Sequence, residues 1–268
     1  MANKRQFDKI KRIVVKVGTS SLTHPNGKMN LQAIDQLSYT LSGLVNEGKQ
    51  VVLVSSGAIG VGMGQLNLQE RPTDIPAQQA LAALGQSMLM TIYQQRFATY
   101  GQKISQVLLT HDVLDYPQSK ENVNNAINKM LAWGIIPIVN ENDTVATDEL
   151  DHKTKFGDND QLSAIVATII DADLLIMLSD IDGFFDKNPK KYADAKLIPE
   201  ITEINEQTYQ HAGGKGSKFG TGGMTTKLKA AQRMMKADKL TILANGANPS
   251  IVFRILNGDA IGTLFRKG

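Results

Sequence analysis

Short runs of aliphatic and β-branched residues alternate along the chain with longer stretches of helical periodicity. Such alternation is typical of a parallel sheet whose strands are joined by crossover helices. Because both faces of such a sheet are buried, we predict an α/β fold, a three-layer α/β/α sandwich with a largely parallel central sheet. The predicted strands are Arg12–Val17, Val51–Val54, Ile104–Leu109, Ile135–Val139, Leu174–Leu178, Leu240–Leu243 and Thr263–Phe265.

Helical periodicity fills most of the gaps between these strands. Asn30 can cap a helix that Gly48 ends, and the apolar stripe from Leu162 to Ile170 has the spacing of an amphipathic helix. Since the 268 residues contain no internal repeat and no linker, we expect a single domain over residues 1–268. Three more helices are predicted at about Pro76–Ala98, Ser119–Trp133 and Thr225–Ala237.

The composition excludes several classes of protein and of site. The chain has no cysteine, which excludes disulfides, thiolate metal sites and a cysteine nucleophile. Its net charge of +3 is small and its basic residues are dispersed, which argues against nucleic-acid binding. No segment approaches the roughly 18 apolar residues of a membrane helix, and Lys16 interrupts the apolar run after the basic N-terminus. We therefore expect a soluble, cytoplasmic protein that binds neither nucleic acid nor membranes.

Polar loops that contain glycine follow two of the predicted strands, where an open parallel sheet binds its ligands. Lys16 closes the first strand, and the Gly-Thr-Ser-Ser loop after it offers hydrogen-bond donors to a phosphate. A lysine that extends its charge out of a buried strand explains the same pattern. Ser56 and Gly57 follow the second strand, where small residues admit a carboxylate or phosphate. A tight turn that needs glycine for packing is the alternative there.

Amide and acidic side chains cluster at two other predicted strand and helix ends. The segment Asn140–Asp143 follows the fourth strand and can recognise an ammonium group, or it can form an Asx turn. Asn159 and Asp160 open the apolar-striped helix. Acidic residues at such a position are commonly helix caps, so this cluster is ambiguous as well.

The segment Gly213–Gly223 contains six glycines and leads to Lys227. Its composition resembles a phosphate-binding loop, although Thr226 stands where a Walker A motif requires glycine. A flexible surface loop is the alternative. Two lysines, acidic residues and glycine-rich turns at successive strand ends together predict phosphoryl transfer. The four histidines lack metal-binding spacing and no Gly-x-Ser-x-Gly motif occurs, so metal-dependent and serine hydrolases have little support.

Six segments follow one another along the chain: VVKVGTSSLT, VVLVSSGAIGVG, NENDTVATDE, FGDNDQLSA, LSDIDGFFDKNP and GTGGMTTK. In this order they resemble motifs of the glutamate 5-kinase group of the amino-acid kinase family. The resemblance runs from Ile13 to about Phe265 and implies the amino-acid kinase fold. It implies transfer of the ATP γ-phosphate, with Mg²⁺, to the γ-carboxylate of L-glutamate, the first step of proline biosynthesis. Acetylglutamate and aspartate kinases, and a non-catalytic sensor on this fold, are the alternatives.

The resemblance also implies roles for individual residues where the motifs match. Lys16 and Lys227 would stabilise the phosphoryl group in transfer, and Asp160 would orient the two lysines. No residue is expected to bind a metal, because Mg²⁺ would enter with ATP. Glutamate would be held by Ser56, Asp143 and Asn159. ATP would be contacted by Lys16, Ser179, Asp180, Thr221, Gly222, Gly223, Met224, Thr225, Thr226 and Lys227.

Five wider expectations follow from the sequence and the resemblance. Residues up to about 170 would mainly hold glutamate, and residues from about 171 to 268 would mainly hold ATP. The two lysines are expected at opposite ends of the ligand crevice. The chain ends at Gly268, directly after the last predicted strand. We therefore expect a short form without the additional C-terminal RNA-binding-type domain of many family members. A homo-oligomer and feedback by proline are expected from the resemblance.

Overall fold

Strands and helices alternate along most of the chain. The computed structural model describes residues 4–24, 28–110, 116–145, 159–212 and 223–268. The strands are β1 (Arg12–Val17), β2 (Gln50–Ser55), β3 (Ile104–Leu109), β4 (Ile136–Glu141), β5 (Leu174–Ser179), β6 (Glu200–Ile201), β7 (Leu240–Asn245) and β8 (Thr263–Phe265). The helices are α1 (Thr19–Leu22), α2 (Leu31–Asn46), α3 (Ala58–Gln65), α4 (Ile75–Thr99), α5 (Pro117–Ala132), α6 (Asn159–Ile169), α7 (Glu206–His211), α8 (Met224–Lys236) and α9 (Ile251–Leu256).

The described strands form one eight-stranded sheet in the order β3-β4-β2-β1-β5-β7-β8-β6. Neighbouring strands pair in parallel, except for β7 and β8, which are antiparallel. The prediction of a largely parallel sheet is therefore confirmed. After β1 the chain builds outward through β2 on one side, and β5 later pairs with the other side of β1. This reversal of strand order beside β1 is where open α/β sheets form a ligand crevice.

Alternation of side chains along β1 divides the protein into layers. Ile13, Val15 and Val17 belong to one buried cluster, which is completed by apolar residues of α2, α3, α4 and α9. Val14 belongs to the opposite cluster, with residues of α5, α6 and α8. Helices thus cover both faces of the sheet, which confirms the three-layer α/β/α prediction. Because side chains alternate with a period of two, Lys16 lies on the same face as Val14, beneath α6 and α8.

The predicted elements agree with the observed ones where a segment is long or continuously apolar. The predicted bounds of β1, β3 and β8 match the observed ones, and α2 starts after its predicted cap, Asn30, whose side chain accepts a hydrogen bond from Ala33 N. The prediction for β4 was wrong at its end, because the strand continues through Asn140 and Glu141. The elements that were not predicted are α1, α3, β6, α7 and α9.

Helix α3 contains three glycines, which lower its intrinsic helix propensity by about 1 kcal/mol each relative to alanine. Close packing against α4 explains one of them, Gly62. A Cβ atom at Gly62 would lie 2.1 Å from the carbonyl oxygen of Leu81, and one at Gly85 would lie 1.8 Å from that of Ala58. The first turn of α3 is therefore held directly against α4, which fixes the turn that follows β2.

Among the helices of the described ranges, none combines the length and the apolar character that crossing a bilayer requires.

Candidate active site

A cleft of about 590 Å³ opens at the carboxyl ends of β1, β2, β4 and β5. Its walls come from the loops after these four strands, from α3, from the first turn of α8, and from Arg71 in the loop between α3 and α4. The position agrees with the crevice that the strand order creates beside β1. Seven of the predicted site residues line the cleft together: Lys16, Ser56, Asp143, Asn159, Ser179, Asp180 and Lys227.

The carboxylate of Asp160 lies between the two predicted lysines. Lys16 Nζ is 2.6 Å from Asp160 Oδ1, and Lys227 Nζ is 3.0 Å from Asp160 Oδ2. The hydroxyl of Thr226 donates to the same Oδ2 at 2.9 Å. Asp160 is 0% exposed, so the interaction takes place away from solvent. The expectation that the lysines occupy opposite ends of the crevice is wrong, because both bind one buried carboxylate that needs their positive charge.

The first turns of α6 and α8 bring these groups together. Asp160 lies in the first turn of α6, while Thr226 and Lys227 lie in the first turn of α8. Gln161 Nε2 donates to the backbone oxygen of Thr226 at 2.8 Å and so ties the two helix starts to each other. Lys16 reaches the same place from the end of β1. The contacts of Asp160 exclude a role as a helix cap alone.

Two opposing effects act on the pKa of Asp160. Burial alone raises it, but the charges of Lys16 and Lys227 and their hydrogen bonds lower the pKa from 3.8 to about 2. The carboxylate is therefore ionised at neutral pH. One negative and two positive charges leave this triad with a net charge of +1, which suits an anionic ligand.

A chain of buried amides supports the other side of the cleft. Asn159 Nδ2 donates to Ser56 Oγ at 2.7 Å and to Asn140 Oδ1 at 2.9 Å. Asn140 Nδ2 in turn donates to Gln86 Oε1 on α4, also at 2.9 Å. Asn159 Oδ1 is buried and accepts no hydrogen bond from any described residue. The network therefore fixes Ser56 and Asn159 and leaves one buried acceptor for a donor on a ligand.

The turn that carries Ser56 is supported by a buried hydrogen bond at the end of β2. Ser55, the last residue of β2, shares a 2.9 Å hydrogen bond with the hydroxyl of Tyr93, and both side chains are buried. Burial raises the pKa of Tyr93, which keeps this hydroxyl neutral and able to donate. Gly57 follows with a φ of 107°, a conformation that favours glycine. Backbone and side chain thus set the position of Ser56.

Two further predicted residues lie at the ends of β4 and β5. Asp143 lies two residues beyond β4 in the cleft wall and is 7% exposed. Ser179 is the last residue of β5, and its hydroxyl donates to Asp180 Oδ1 at 3.2 Å. Lys190 Nζ lies 3.2 Å from Asp180 Oδ2 in an exposed ion pair.

Part of the predicted ATP-binding segment is described. Gly223 directly precedes α8, and Met224, Thr225 and Thr226 begin that helix. Thr221 and Gly222 lie outside the described residues, as does most of the glycine-rich run before them. Whether that run binds phosphate therefore stays a prediction.

Sequence reasoning missed two residues of this site, Gln86 and Arg71, and noticed a third, Asn140, without its role in the amide network. Asn140 was treated as part of a loop, because the strand was predicted to end before it. Gln86 lies within a long helix, where no local pattern separates it from a surface glutamine. Arg71 lies in a polar loop with no strand-end signal. Only the fold brings Asn140 and Arg71 to the cleft and Gln86 into contact with Asn140.

Comparison with known proteins agrees with this architecture. The sequence model of the Amino acid kinase family matches residues 11–244. A glutamate 5-kinase from Ligilactobacillus salivarius (strain UCC118) is 69% identical over 263 residues, which cover 98% of each chain. One from Enterococcus faecalis (strain ATCC 700802 / V583) is 64% identical over 268 residues, covering 100% of this chain and 98% of the relative. The crystal structure of a UMP kinase from Bacillus anthracis has a TM-score of 0.63 at 16% identity, with 96% of each chain covered, and shares the fold.

The depressed pKa of Asp160 predicts how the triad contributes to stability as the pH changes. Its folded-state pKa of about 2 lies below the ordinary value of 3.8, so its stabilising contribution is present above about pH 4 and is lost as the pH falls toward 2. The difference in unfolding free energy between the wild type and Asp160→Asn should shrink by about 1 kcal/mol between about pH 5 and about pH 3. Urea unfolding at both pH values measures this difference, from which the titration of the other carboxylates cancels. A difference that is independent of pH would contradict the ion pairs described above.

Proposed function

Because the chain belongs to the amino acid kinase family and, within it, to the glutamate 5-kinases, we propose that it transfers the γ-phosphoryl group of ATP to the γ-carboxylate of L-glutamate. An oxygen of the γ-carboxylate attacks the γ-phosphorus, the bond from that phosphorus to the β–γ bridging oxygen breaks, and ADP leaves. The product is glutamyl 5-phosphate, and the reaction is the first step of proline biosynthesis. The observation that carries the proposal for this site is the pair of lysines on one buried carboxylate.

The triad has the properties that phosphoryl transfer requires. During transfer the charge is spread over three equatorial phosphoryl oxygens, and catalysis consists mainly of positioning and charge stabilisation. Lys16 and Lys227 are held within 3.0 Å of Asp160, which offsets the repulsion between two close ammonium groups and fixes their direction. We assign the catalytic roles to Lys16 and Lys227 and the orienting role to Asp160. Preorganised charges of this kind stabilise the transition state more than the bound reactants.

Glutamate recognition is assigned to Ser56, Asp143 and Asn159. The unpartnered oxygen of Asn159 and the carboxylate of Asp143 are acceptors in the cleft wall, as an ammonium group requires. The Ser56 hydroxyl, held by Asn159, can donate to a substrate carboxylate. These three residues belong to the part of the chain before about residue 170, and we propose that this part mainly holds glutamate.

ATP recognition is assigned to the part from about residue 171 to 268, together with Lys16. Ser179, Asp180 and Lys227, which all belong to this part of the chain, line the cleft, and this supports the division. The other proposed ATP contacts are Thr221, Gly222, Gly223, Met224, Thr225 and Thr226.

Mg²⁺ is proposed to enter as part of the MgATP substrate. Its preference for phosphate and water oxygens means that it needs few protein ligands. Within the described ranges there is no group of three histidine or acidic side chains that could hold a metal, and both carboxylate oxygens of Asp160 already bind lysine. The residues of this cleft therefore suit an ion that the phosphates bring with them. Bound there, Mg²⁺ would supply charge neutralisation between the β- and γ-phosphates.

Two properties of the proposal rest on the family alone. Feedback by proline and assembly into a homo-oligomer stay predictions. Acetylglutamate and aspartate kinases remain the alternative activities, and the relatives that are 69% and 64% identical favour free glutamate over both.

Trapping the product tests the reaction and the substrate together. The protein is incubated with MgATP, L-glutamate and hydroxylamine, which converts an acyl phosphate into a stable hydroxamate. We expect hydroxamate with glutamate, and much less with N-acetylglutamate or aspartate. Hydroxamate formed only with one of the other two substrates would overturn the choice of glutamate, and none with any of them would overturn carboxylate phosphorylation.

The role of Asp143 is tested by combining a change of this residue with a substrate analogue that lacks the ammonium group. Losing one partner of a desolvated charge pair costs roughly 2–5 kcal/mol, so Asp143→Asn should raise the glutamate KM by at least about tenfold and leave the ATP KM nearly unchanged. Glutarate keeps both carboxylates and lacks the ammonium group, so the same change should not weaken its binding. Steady-state kinetics with glutamate, and titration with glutarate, measure both effects. If binding of both compounds weakened equally, Asp143 would not be the ammonium partner.

A further inference from the structure

Arg71 places a positive charge in the cleft wall that none of the assigned roles uses. It lies in the loop between α3 and α4 and lines the same cleft as Ser56 and Lys16. Its Nε and Nη2 atoms donate to Gln78 Oε1 on α4 at 3.1 and 2.7 Å. Gln78 is only 3% exposed. A buried amide therefore holds an otherwise exposed guanidinium in place.

The hydrogen-bonding capacity of Arg71 is only partly used. A guanidinium has five N–H donors in a planar fork that matches the two oxygens of a carboxylate. Gln78 accepts from two of its nitrogens, and across the described part of the chain Arg71 forms no ion pair. Lys16 and Lys227, in contrast, share Asp160. Arg71 is thus a positioned cation with donors available for an anion.

The position of Arg71 indicates which anion that is. Gly60 and Met63 of α3, which lie between Ser56 and Arg71 in the sequence, also line the cleft. Ser179 and Asp180 come from β5 and the loop after it. Arg71 therefore belongs to the segment that carries the glutamate-binding serine, not to the segments assigned to ATP.

The chemistry of the substrate calls for such a group. Glutamate has an ammonium group and two carboxylates, and the γ-carboxylate must face the phosphoryl group between the lysines. Asp143 and the free oxygen of Asn159 can satisfy the ammonium group, but as acceptors they cannot bind the α-carboxylate. We propose that Arg71, positioned by Gln78, binds the α-carboxylate and gives the site its preference for an α-amino acid. This inference rests on the proposed function and adds a specificity-determining residue to it.

The test compares glutamate with 4-aminobutanoate, which keeps the ammonium group and the reacting carboxylate and lacks the α-carboxylate. Hydrogen bonds to charged groups contribute about 1.5–3 kcal/mol, and every 1.4 kcal/mol is about tenfold in affinity. Arg71→Gln should therefore weaken glutamate binding about ten- to hundredfold and leave 4-aminobutanoate binding and the ATP KM within about twofold. Arg71→Lys, which keeps the charge and loses the fork, should fall between Arg71→Gln and the wild type. Arg254→Gln is the matched control, because Arg254 is exposed on α9 and pairs with Asp259 outside the cleft.

Titration calorimetry of both compounds and the hydroxamate assay are carried out on each variant. If the wild type binds glutamate but forms no hydroxamate, the proposed reaction fails while the calorimetry still tests Arg71. Equal weakening of both compounds, a raised ATP KM or unchanged glutamate binding in Arg71→Gln would each overturn the assignment. If Arg71→Gln does not fold, the intermediate loss expected for Arg71→Lys, confined to glutamate, decides the question.

Discussion

The carboxylate of Asp160 is buried completely, and it is stable there as an ion because Lys16 and Lys227 bind it. An ionised carboxylate without partners would cost several kcal/mol in such a place. The need to pair this charge links three parts of the chain that are far apart in sequence: the end of β1, the first turn of α6 and the first turn of α8. Their association creates the cleft and concentrates its positive charge at one point.

The residue before Asp160 connects this charge cluster to the substrate side. Asn159 donates to Ser56 and Asn140, and through Asn140 the network reaches Gln86 on α4. Consecutive residues of a helix point about 100° apart, so the start of α6 can serve both networks at once. A displacement of α6 would therefore disturb the lysines and the network of buried amides together. The close packing of α3 on α4 fixes the part of the cleft wall that α3 forms.

The sequence was sufficient for seven of the eight described strands, because most of them are apolar runs whose burial leaves little choice of structure, but it did not predict the two-residue strand β6. It was also sufficient to place Lys16 at a strand end, but not to decide whether that lysine reaches solvent or a ligand. The partner of Lys16 is Asp160, which is distant in the sequence and is brought to Lys16 only by the fold. Helix α3 was missed because its three glycines oppose helix formation locally, and the contact with α4 that accounts for Gly62 forms only in the folded protein.

The candidate site was predictable to the extent that it consists of strand-end residues. The motif resemblance supplied the chemistry and most of the residues. Asn140 was missed as a network member because β4 continues beyond its apolar core into polar residues. Arg71 carries no signal in the sequence, since an arginine in a polar loop is ordinary, and only the buried Gln78 beneath it marks the residue as positioned.

The central claim is that Lys16, Asp160 and Lys227 act as one unit, and a double-mutant cycle on kcat tests it most directly. Lys227→Ala and Asp160→Asn should each lower kcat by roughly 10²–10³, the loss typical of removing one preorganised charge stabiliser. Thermal unfolding of each variant verifies that the proteins compared are folded. Because Lys227→Ala removes the ammonium group that Asp160→Asn leaves without its anchor, the double variant should lose clearly less activation free energy than the sum of the two single losses. Strict additivity of the two losses would contradict the claim and would show that Asp160 does not position Lys227 for catalysis.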